Sequence, residues 1–364
     1  MNPAFDRIIT SSADDRRDLF VATARRTGMA EQSVEKDFWV CWTLDALFHA
    51  LPARGPRLLL KGGTSLSKGF GLISRFSEDI DVTVFRADLG ESISIDDLEK
   101  LSGKKRENIL DRIKTACQQY LGDHLRPQLT SILAEAVVPT ERAQADVVSD
   151  NADPDQQTLL LRYPSVLSVD PYVRPTVRIE CGAKSALDPH RPVTLEPYVA
   201  DDMPDADLSV GDVTTIVPER TFWDKVVILH GLRRWFERRG ELRQEGQRIS
   251  RHYYDLHSMH STSVGEQAIG DTALGKECAR HARMFFNRPD FDLATAVPGS
   301  FMLTPTERMI EGLRRDYTAM VGMIFRSVPR FEDVLASIAT IEERLNARSD
   351  ARESNQRDIP AHGH

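Results

Sequence analysis

Two aspartates spaced two apart, Asp79 and Asp81, stand in the run Phe76-Ser77-Glu78-Asp79-Ile80-Asp81-Val82. On a strand, side chains alternate, so both carboxylates leave one face while Ile80, Val82 and Val84 point to the other. Two anions that close repel one another, and a divalent cation is the obvious compensation, because Mg2+ is typically held by one or two carboxylates together with phosphate oxygens and water. A solvated strand face would carry the same D-x-D pattern. Upstream, Gly62-Gly63 precede Thr64, Ser65, Ser67 and Lys68. This reads as a strand-to-helix turn with no Cβ in the way, where backbone N–H groups and hydroxyls can reach phosphate oxygens and the helix start adds partial positive charge. It is not a P-loop, which needs Gly-Lys-Ser/Thr after four spacers, whereas Lys68 lies between Ser67 and Gly69. A Gly-Gly pair that merely turns the chain is the plainer alternative. Arg75 and Ser77 add a cation and a hydroxyl near the same mouth, although an Arg before a strand is commonly just a solvated side chain.

These residues need elements to carry them. Leu58-Leu59-Leu60 is too short for a helix and stops at the glycine pair, which suits a buried strand entering a tight turn; Ile80 to Phe85 alternates as a second strand, with a short helix at 65–70 between them. The first fifty residues read as helices, through Leu19, Phe20, Val34, Phe38, Trp42 and Phe48, and 104–120 as a surface helix. Residues 139–157 are polar and acidic and read as an irregular excursion. Strands follow at Leu159 to Tyr163, Thr176 to Cys181 and Val193 to Tyr198, and the acidic, Pro- and Gly-bearing stretch Asp201 to Gly211 is the natural domain boundary. From Pro218 onward the pattern is helical to Leu345. The reading is therefore α+β over 1–205, a helical domain over 206–345 and a disordered tail over 346–364.

Composition narrows the function classes. The 364 residues carry a net charge of −8 with 41% hydrophobic and 28% charged residues, ordinary for a globular protein and unlike one that simply coats nucleic acid. No apolar run approaches the length of a membrane span, and the acidic start does not resemble a signal peptide, so a cytoplasmic protein without membrane contact is expected. Cys41, Cys117, Cys181 and Cys278 lie far apart and read as core thiols. There is no H-E-x-x-H and no G-x-S-x-G, which leaves zinc protease and serine hydrolase readings without support.

Farther along, Lys225 flanks an apolar stripe running through Phe222 and Leu229, where its ammonium could project from an ordered helix toward a triphosphate or simply snorkel to solvent. Glu180 shares a strand face with Arg178, and the two could pair with each other or with neighbouring strands. Between Arg233 and Arg251 stand seven arginines, Arg233, Arg234, Arg238, Arg239, Arg243, Arg248 and Arg251, against Glu237, Glu241 and Glu245. That local excess fits a phosphate-backbone footprint, and equally a self-neutralising solvated helix.

Gly-Gly-Thr-Ser-Leu-Ser-Lys followed by Arg75-Phe76-Ser77-Glu78-Asp79-Ile80-Asp81-Val82 resembles the signature of the AbiEii/AbiGii toxin family, nucleotidyltransferases of the DNA polymerase β-like superfamily. Val34-Glu35-Lys36-Asp37-Phe38-Trp39 resembles that family's N-terminal helix, Glu219 to Lys225 its lysine-bearing helix and Arg251 to Leu256 its late aspartate motif, in the family's order. The resemblance implies a bilobed protein, with a mixed sheet flanked by helices and a helical C-terminal domain that completes the site. It implies Asp79 and Asp81 as ligands of Mg2+ (or Mn2+), and Gly62, Gly63, Thr64, Ser65, Lys68, Arg75 and Ser77 around the phosphates of an NTP. Lys225 would face the leaving pyrophosphate, with Asp255 and Glu180 assisting as base or further ligand. Without the resemblance, Asp255 is an ordinary helix acid or a partner for Arg251. Biologically it implies the toxin of a type IV toxin–antitoxin or abortive-infection pair with a cognate antitoxin. Because the family's MenT group adds nucleotides to tRNA 3′ ends, tRNA is the expected acceptor, with Arg233, Arg234, Arg238 and Arg239 as an RNA contact. A protein or small-molecule acceptor, or a non-catalytic nucleotide-binding module, remains the alternative. Phosphorylation of Ser77 would silence such a site by like-charge repulsion.

Overall fold

The sheet that carries the acids is built around an unbroken apolar strand. In the computed structural model, which describes residues 1–167, 174–243 and 248–357, with side chains described up to residue 347, the chain divides into two compact units, Met1–Val217 and Pro218–His364. The first contains a seven-stranded mixed sheet ordered β3-β4-β5-β2-β1-β7-β6. Its strands are β1 (Leu58–Lys61), β2 (Asp79–Val84), β3 (Asp146–Ser149), β4 (Thr158–Arg162), β5 (Thr176–Gly182), β6 (His190–Leu195) and β7 (Val210–Ile216). The Leu58–Leu60 run sits mid-sheet, antiparallel to β2 and parallel to β7, with Leu59 and Leu60 fully buried, as expected of a strand covered on both faces. β2 pairs in parallel with β5, where Val177, Ile179 and Cys181 alternate inward.

Helices α1 (Pro3–Ile9), α2 (Ala13–Thr27) and α3 (Glu31–Asp45) precede the sheet, and α3 packs on β2, β5 and β7. α3 is buried all round from Val34 to Asp45. Its aromatics form the centre of the core, with Phe38 against Phe5 and Phe20 and Trp39 stacked on Tyr163 at 5.2 Å between centroids. α4 (Gly62–Thr64) is a single turn that widens into Ser65–Gly69; α5 (Ile95–Glu99), α6 (Gly103–Tyr120) and α7 (Arg126–Ala136) lie between β2 and β3.

The second unit is helical: α8 (Pro218–Arg239), α9 (Ser250–His260), α10 (Ser263–Gly270), α11 (Thr272–Phe285), α12 (Glu307–Met320) and α13 (Phe331–Arg357). α8 packs on α9, α10 and α11, and α9 on α12 and α13. The buried Trp223 indole donates to the Ala268 carbonyl at 2.9 Å.

Several expectations are revised. The divide falls after β7 rather than within Asp201–Gly211, because Val210–Ile216 are drawn into the sheet beside β1 and β6. The excursion at 139–157 contains β3, which pairs with β4. The strand expected from Val193 starts at His190 and stops at Leu195, since Pro197 leads into a 3-10 turn. The disordered tail is a correction over 346–357, where α13 runs on to Arg357 with no Gly or Pro to stop it; residues 358–364 lie outside the described residues. The helical pattern expected through to Leu345 is interrupted after Met320, where α12 gives way to a short 3-10 turn. All four cysteines are free and buried, and among the described residues no helix is long and apolar enough to cross a membrane.

Candidate active site

Register decides what shares the acid face. Lys61 lies opposite Asp81 across β1 and β2, while Asp79 lies beside Arg178 and Asp81 beside Glu180 across β2 and β5. Paired residues in a sheet project to the same side, so Lys61, Asp79, Asp81, Arg178 and Glu180 form one charged row. Lys61 Nζ is 3.8 Å from Asp81 Oδ1, and Arg178 Nε is 3.2 Å from Glu180 Oε1. The Arg178–Glu180 pairing open to the sequence therefore exists, but it does not isolate Glu180 from the aspartates. Burial, then Asp81 and Asp79, push the Glu180 carboxyl above its usual range, against Arg178 and Lys61. Burial, Glu78 and Asp81 do the same to Asp79, against Lys36 and Arg178. The row is bounded by Thr83, fully buried with its hydroxyl unpartnered among the described residues, and by an apolar cluster of Leu59, Phe85, Ile216 and Leu187.

The glycine corner presses directly on this row. Gly62 has φ +77°, the left-handed region that favours glycine, and a Cβ there would lie 2.0 Å from Asp81 Oδ2. A Cβ on Gly63 would meet Ser77 Oγ at 2.6 Å and Arg75 Nη2 at 2.8 Å. The backbone of the corner thus approaches Asp81, Ser77 and Arg75 more closely than any other residue type allows. Two of the expected phosphate ligands serve the corner itself: Thr64 Oγ1 donates to the Asp79 carbonyl at 2.5 Å, and Ser65 Oγ donates to the Gly62 carbonyl at 2.8 Å.

Lys68 is turned away from the role expected of it. Its side chain is 6% exposed, its ammonium lies 2.7 and 2.8 Å from the two oxygens of Asp37 and donates to the Glu196 carbonyl at 3.0 Å, and it sits 3.2 Å above the Tyr198 ring centroid. Sequence reasoning assigns no function to the charged run Glu35-Lys36-Asp37, which is buried on α3. Glu35 accepts from Ser165 Oγ and the Val166 N–H, Lys36 donates to Glu78 Oε2 at 2.8 Å, and Asp37 holds Lys68 and accepts the Tyr198 N–H at 2.7 Å. Three adjacent charges set against the apolar run Phe38 to Trp42 of the same helix are the available signal, since charges are almost never buried unless paired. Lys61 escapes notice in the sequence because a lysine ending a leucine run reads as a strand terminus.

In the second unit, Lys225 and Asp255 meet. Lys225 Nζ is 2.8 Å from Asp255 Oδ2, with side chains 7% and 0% exposed. Neither the snorkelling lysine nor the pairing of Asp255 with Arg251 describes this arrangement. The expected RNA-contact arginines are engaged internally. Arg233 donates to the Thr304 carbonyl and Glu237, Arg234 to Glu237 and Asp292, Arg238 to the Pro289 carbonyl with Asp292 at 3.1 Å, and Arg239 to Asp290 at 2.5 Å. Asp290 and Asp292, remote in sequence, absorb much of the excess that resembles a phosphate footprint. Arg243 stacks over Trp235 and Phe291, and Glu245 lies outside the described residues.

The sequence profile of the family described as nucleotidyl transferase AbiEii toxin, type IV toxin–antitoxin system, matches residues 45–337. The chain belongs to that family. As an AbiEii nucleotidyltransferase it takes an NTP as substrate and is the toxin of a two-component system whose other member is an antitoxin. Among solved structures it is similar to MenT4, nucleotidyltransferase toxin Rv2826c from Mycobacterium tuberculosis H37Rv, at 14% identity over 94% of this chain and 90% of that one, with a TM-score of 0.47. No curated protein matches the chain significantly. The charged run of α3 lies ahead of the AbiEii match.

AbiEii chemistry calls for a divalent metal, and the acid face fits one. Asp79 and Asp81 are hard oxygen donors whose mutual repulsion a cation would relieve. Among the described residues no three His, Cys, Asp or Glu side chains already converge as a ligand set. The protein therefore offers a two-carboxylate platform, with Glu180 alongside, of the kind Mg2+ shares with phosphates and water.

Proposed function

We propose that this AbiEii toxin transfers a nucleoside monophosphate from an NTP to the 3′-terminal hydroxyl of tRNA, so blocking translation and growth. Asp79 and Asp81 hold Mg2+, or Mn2+ in its place. The observation that carries the reading is the single sheet face on which Asp79, Asp81 and Glu180 stand beside a glycine corner too tight for any Cβ. When bound, the cation supplies neutralisation of the triphosphate charge.

The chain's own residues do the rest by positioning and charge, since nucleotidyl transfer leaves little covalent work to a protein. Backbone N–H groups of Gly62 and Gly63, with Arg75 and Ser77 at the same corner, receive phosphate oxygens. Thr64 and Ser65 keep the corner in shape through the bonds described above. Glu180, whose carboxyl is held above its ordinary range, accepts the proton of the attacking hydroxyl. In the helical unit Lys225 is held on α8 by its bond to Asp255, and its part in the transfer rests on the family resemblance alone. The tRNA acceptor rests on the resemblance to the MenT group; the arginines of α8, already paired, add no independent support.

The test is incubation of the purified protein with labelled NTPs, Mg2+ and total tRNA, beside Asp81→Ala. Label should enter tRNA with the native chain, and Asp81→Ala should abolish transfer while the melting temperature is retained. Label confined to protein or small molecules would replace the acceptor, and full transfer by Asp81→Ala would remove the site.

A further inference from the structure

The turn that begins at Gly62 ends at a lysine whose ammonium is fully engaged elsewhere. Ser65 bonds back to Gly62, and the Phe70 N–H donates to the Ser65 carbonyl, so Gly62 to Gly69 is cross-linked as one short body. Lys68 fastens this body to α3 through both carboxylate oxygens of Asp37, and to the segment after β6 through the Glu196 carbonyl and the Tyr198 ring. Asp37 closes the loop by accepting the Tyr198 N–H. An ion pair so removed from solvent cannot part without leaving two uncompensated charges, which makes it a stiff connection. At the other end of the body, Thr64 is bonded to the carbonyl of Asp79, so a shift of the corner is passed to the residue that begins β2. Lys36, next to Asp37 on α3, grips Glu78, the residue immediately before Asp79. Adjacent residues of one buried helix thus hold both segments that meet at the acid face.

We propose that Asp37 is a positioning residue for nucleotidyl transfer: acting through Lys68, it seats the Gly62–Gly69 corner and so sets NTP binding without touching substrate. The proposal rests on reading that corner as the phosphate cradle. It also changes the role of Lys68 from phosphate ligand to tether.

The experiment is a double-mutant cycle on the full chain, comparing Asp37→Asn, Lys68→Met and the double variant by NTP KM, kcat and melting temperature, with Asp81→Ala alongside. Each single change should raise NTP KM by about tenfold with a smaller change in kcat, since a tenfold loss of affinity, about 1.4 kcal/mol, is the size of one hydrogen bond to a charged group. The double variant buries no unpaired charge, so it should recover much of the melting temperature while NTP KM stays raised to the level of the singles. It keeps the test decisive even if a single variant folds poorly. NTP KM returning to the native value as the melting temperature recovers would overturn the proposal, leaving a purely structural pair. Lys68→Met losing far more than Asp37→Asn, with the losses adding in the double variant, would also overturn it, because the ammonium would then contact phosphate directly. Loss of transfer in Asp81→Ala with an unmoved NTP KM in Asp37→Asn would dismiss the tether alone, whereas full activity of Asp81→Ala would dismiss the site on which it rests.

Discussion

Gly62→Ala separates the corner's service to the acids from its service to the fold. An alanine at φ +77° adopts a left-handed conformation that costs about 1–2 kcal/mol, a loss of roughly 2–8 °C in melting temperature for a unit of this size. Its methyl carbon would lie 2.0 Å from Asp81 Oδ2 and 2.8 Å from Cγ, and even 3.0 Å is a separation that real Cβ atoms barely reach, so the carboxylate has to retreat by about 1 Å. A carboxylate at the end of a side chain can move that far cheaply, and the fold therefore survives. The site does not, because a misplacement of about 1 Å costs on the order of a hundredfold in rate. Metal-dependent transfer of labelled nucleotide, measured as kcat/KM beside thermal unfolding, should show that hundredfold loss together with the modest drop in melting temperature. Gly63→Ala serves as the internal control. It lacks the left-handed φ, and its methyl meets Ser77 Oγ and Arg75 Nη2 at 2.6 and 2.8 Å, so about tenfold is expected. Gly62→Ala keeping kcat/KM within about threefold of native would refute the premise that the position of Asp81 limits the reaction.

Metal should stabilise the protein more as pH rises. Asp79 and Glu180 are both held above their ordinary values, so the folded state keeps protons that the unfolded state has released. Stability is then lost as pH climbs from about 4 through the folded values, and Mg2+ or Mn2+ should restore it; a melting-temperature gain equal at pH 5 and pH 7.5 (about those values) would contradict this. Lys225→Met should destabilise by about 3–5 kcal/mol in denaturant titration, because Asp255 loses the ammonium that balances its charge at a fully buried position, and a Lys225→Met/Asp255→Leu double variant should regain most of that without regaining transfer. Ser77→Asp sets a carboxylate against Arg75 at the corner and beside the acid row, so NTP binding should fall about tenfold or more with little change in melting temperature; unchanged binding would show that charge at Ser77 is not felt there.

The features legible in the amino-acid sequence are local ones. Alternation around Ile80, Val82 and Val84 places Asp79 and Asp81 on one face, and the leucine run ending in Gly62-Gly63 marks both a central strand and its turn. The same alternation puts Glu180 on a strand face, but its position beside Asp81 depends on the β2–β5 register, which no local pattern encodes. Long-range pairing also defeats the reading of Lys68, whose partners Asp37 and Glu196 lie 31 and 128 residues away. The arginines of α8 mislead for the same reason: Asp290 and Asp292 are more than 50 residues distant, so a helix neutralised in three dimensions looks cationic in one. β7 escapes notice because Val210-Gly211-Asp212-Val213 begins in an acidic, glycine-bearing stretch, and its place depends on β1 rather than on its own composition. β3 is a four-residue edge strand whose one sheet neighbour among the described residues is β4.

The order of strands also bears on when the proposed site can form during synthesis. β2, which carries Asp79 and Asp81, gains its parallel neighbour only when residues 176–182 arrive, and β1 gains its own only with 210–216. Such distant pairings close large loops and form late relative to local helices and hairpins. A growing polypeptide on the ribosome therefore holds the two aspartates for more than a hundred further residues before the face around them can close. Premature termination anywhere in that interval releases a fragment without the finished face, so any activity of that face would belong to chains that extend past β7.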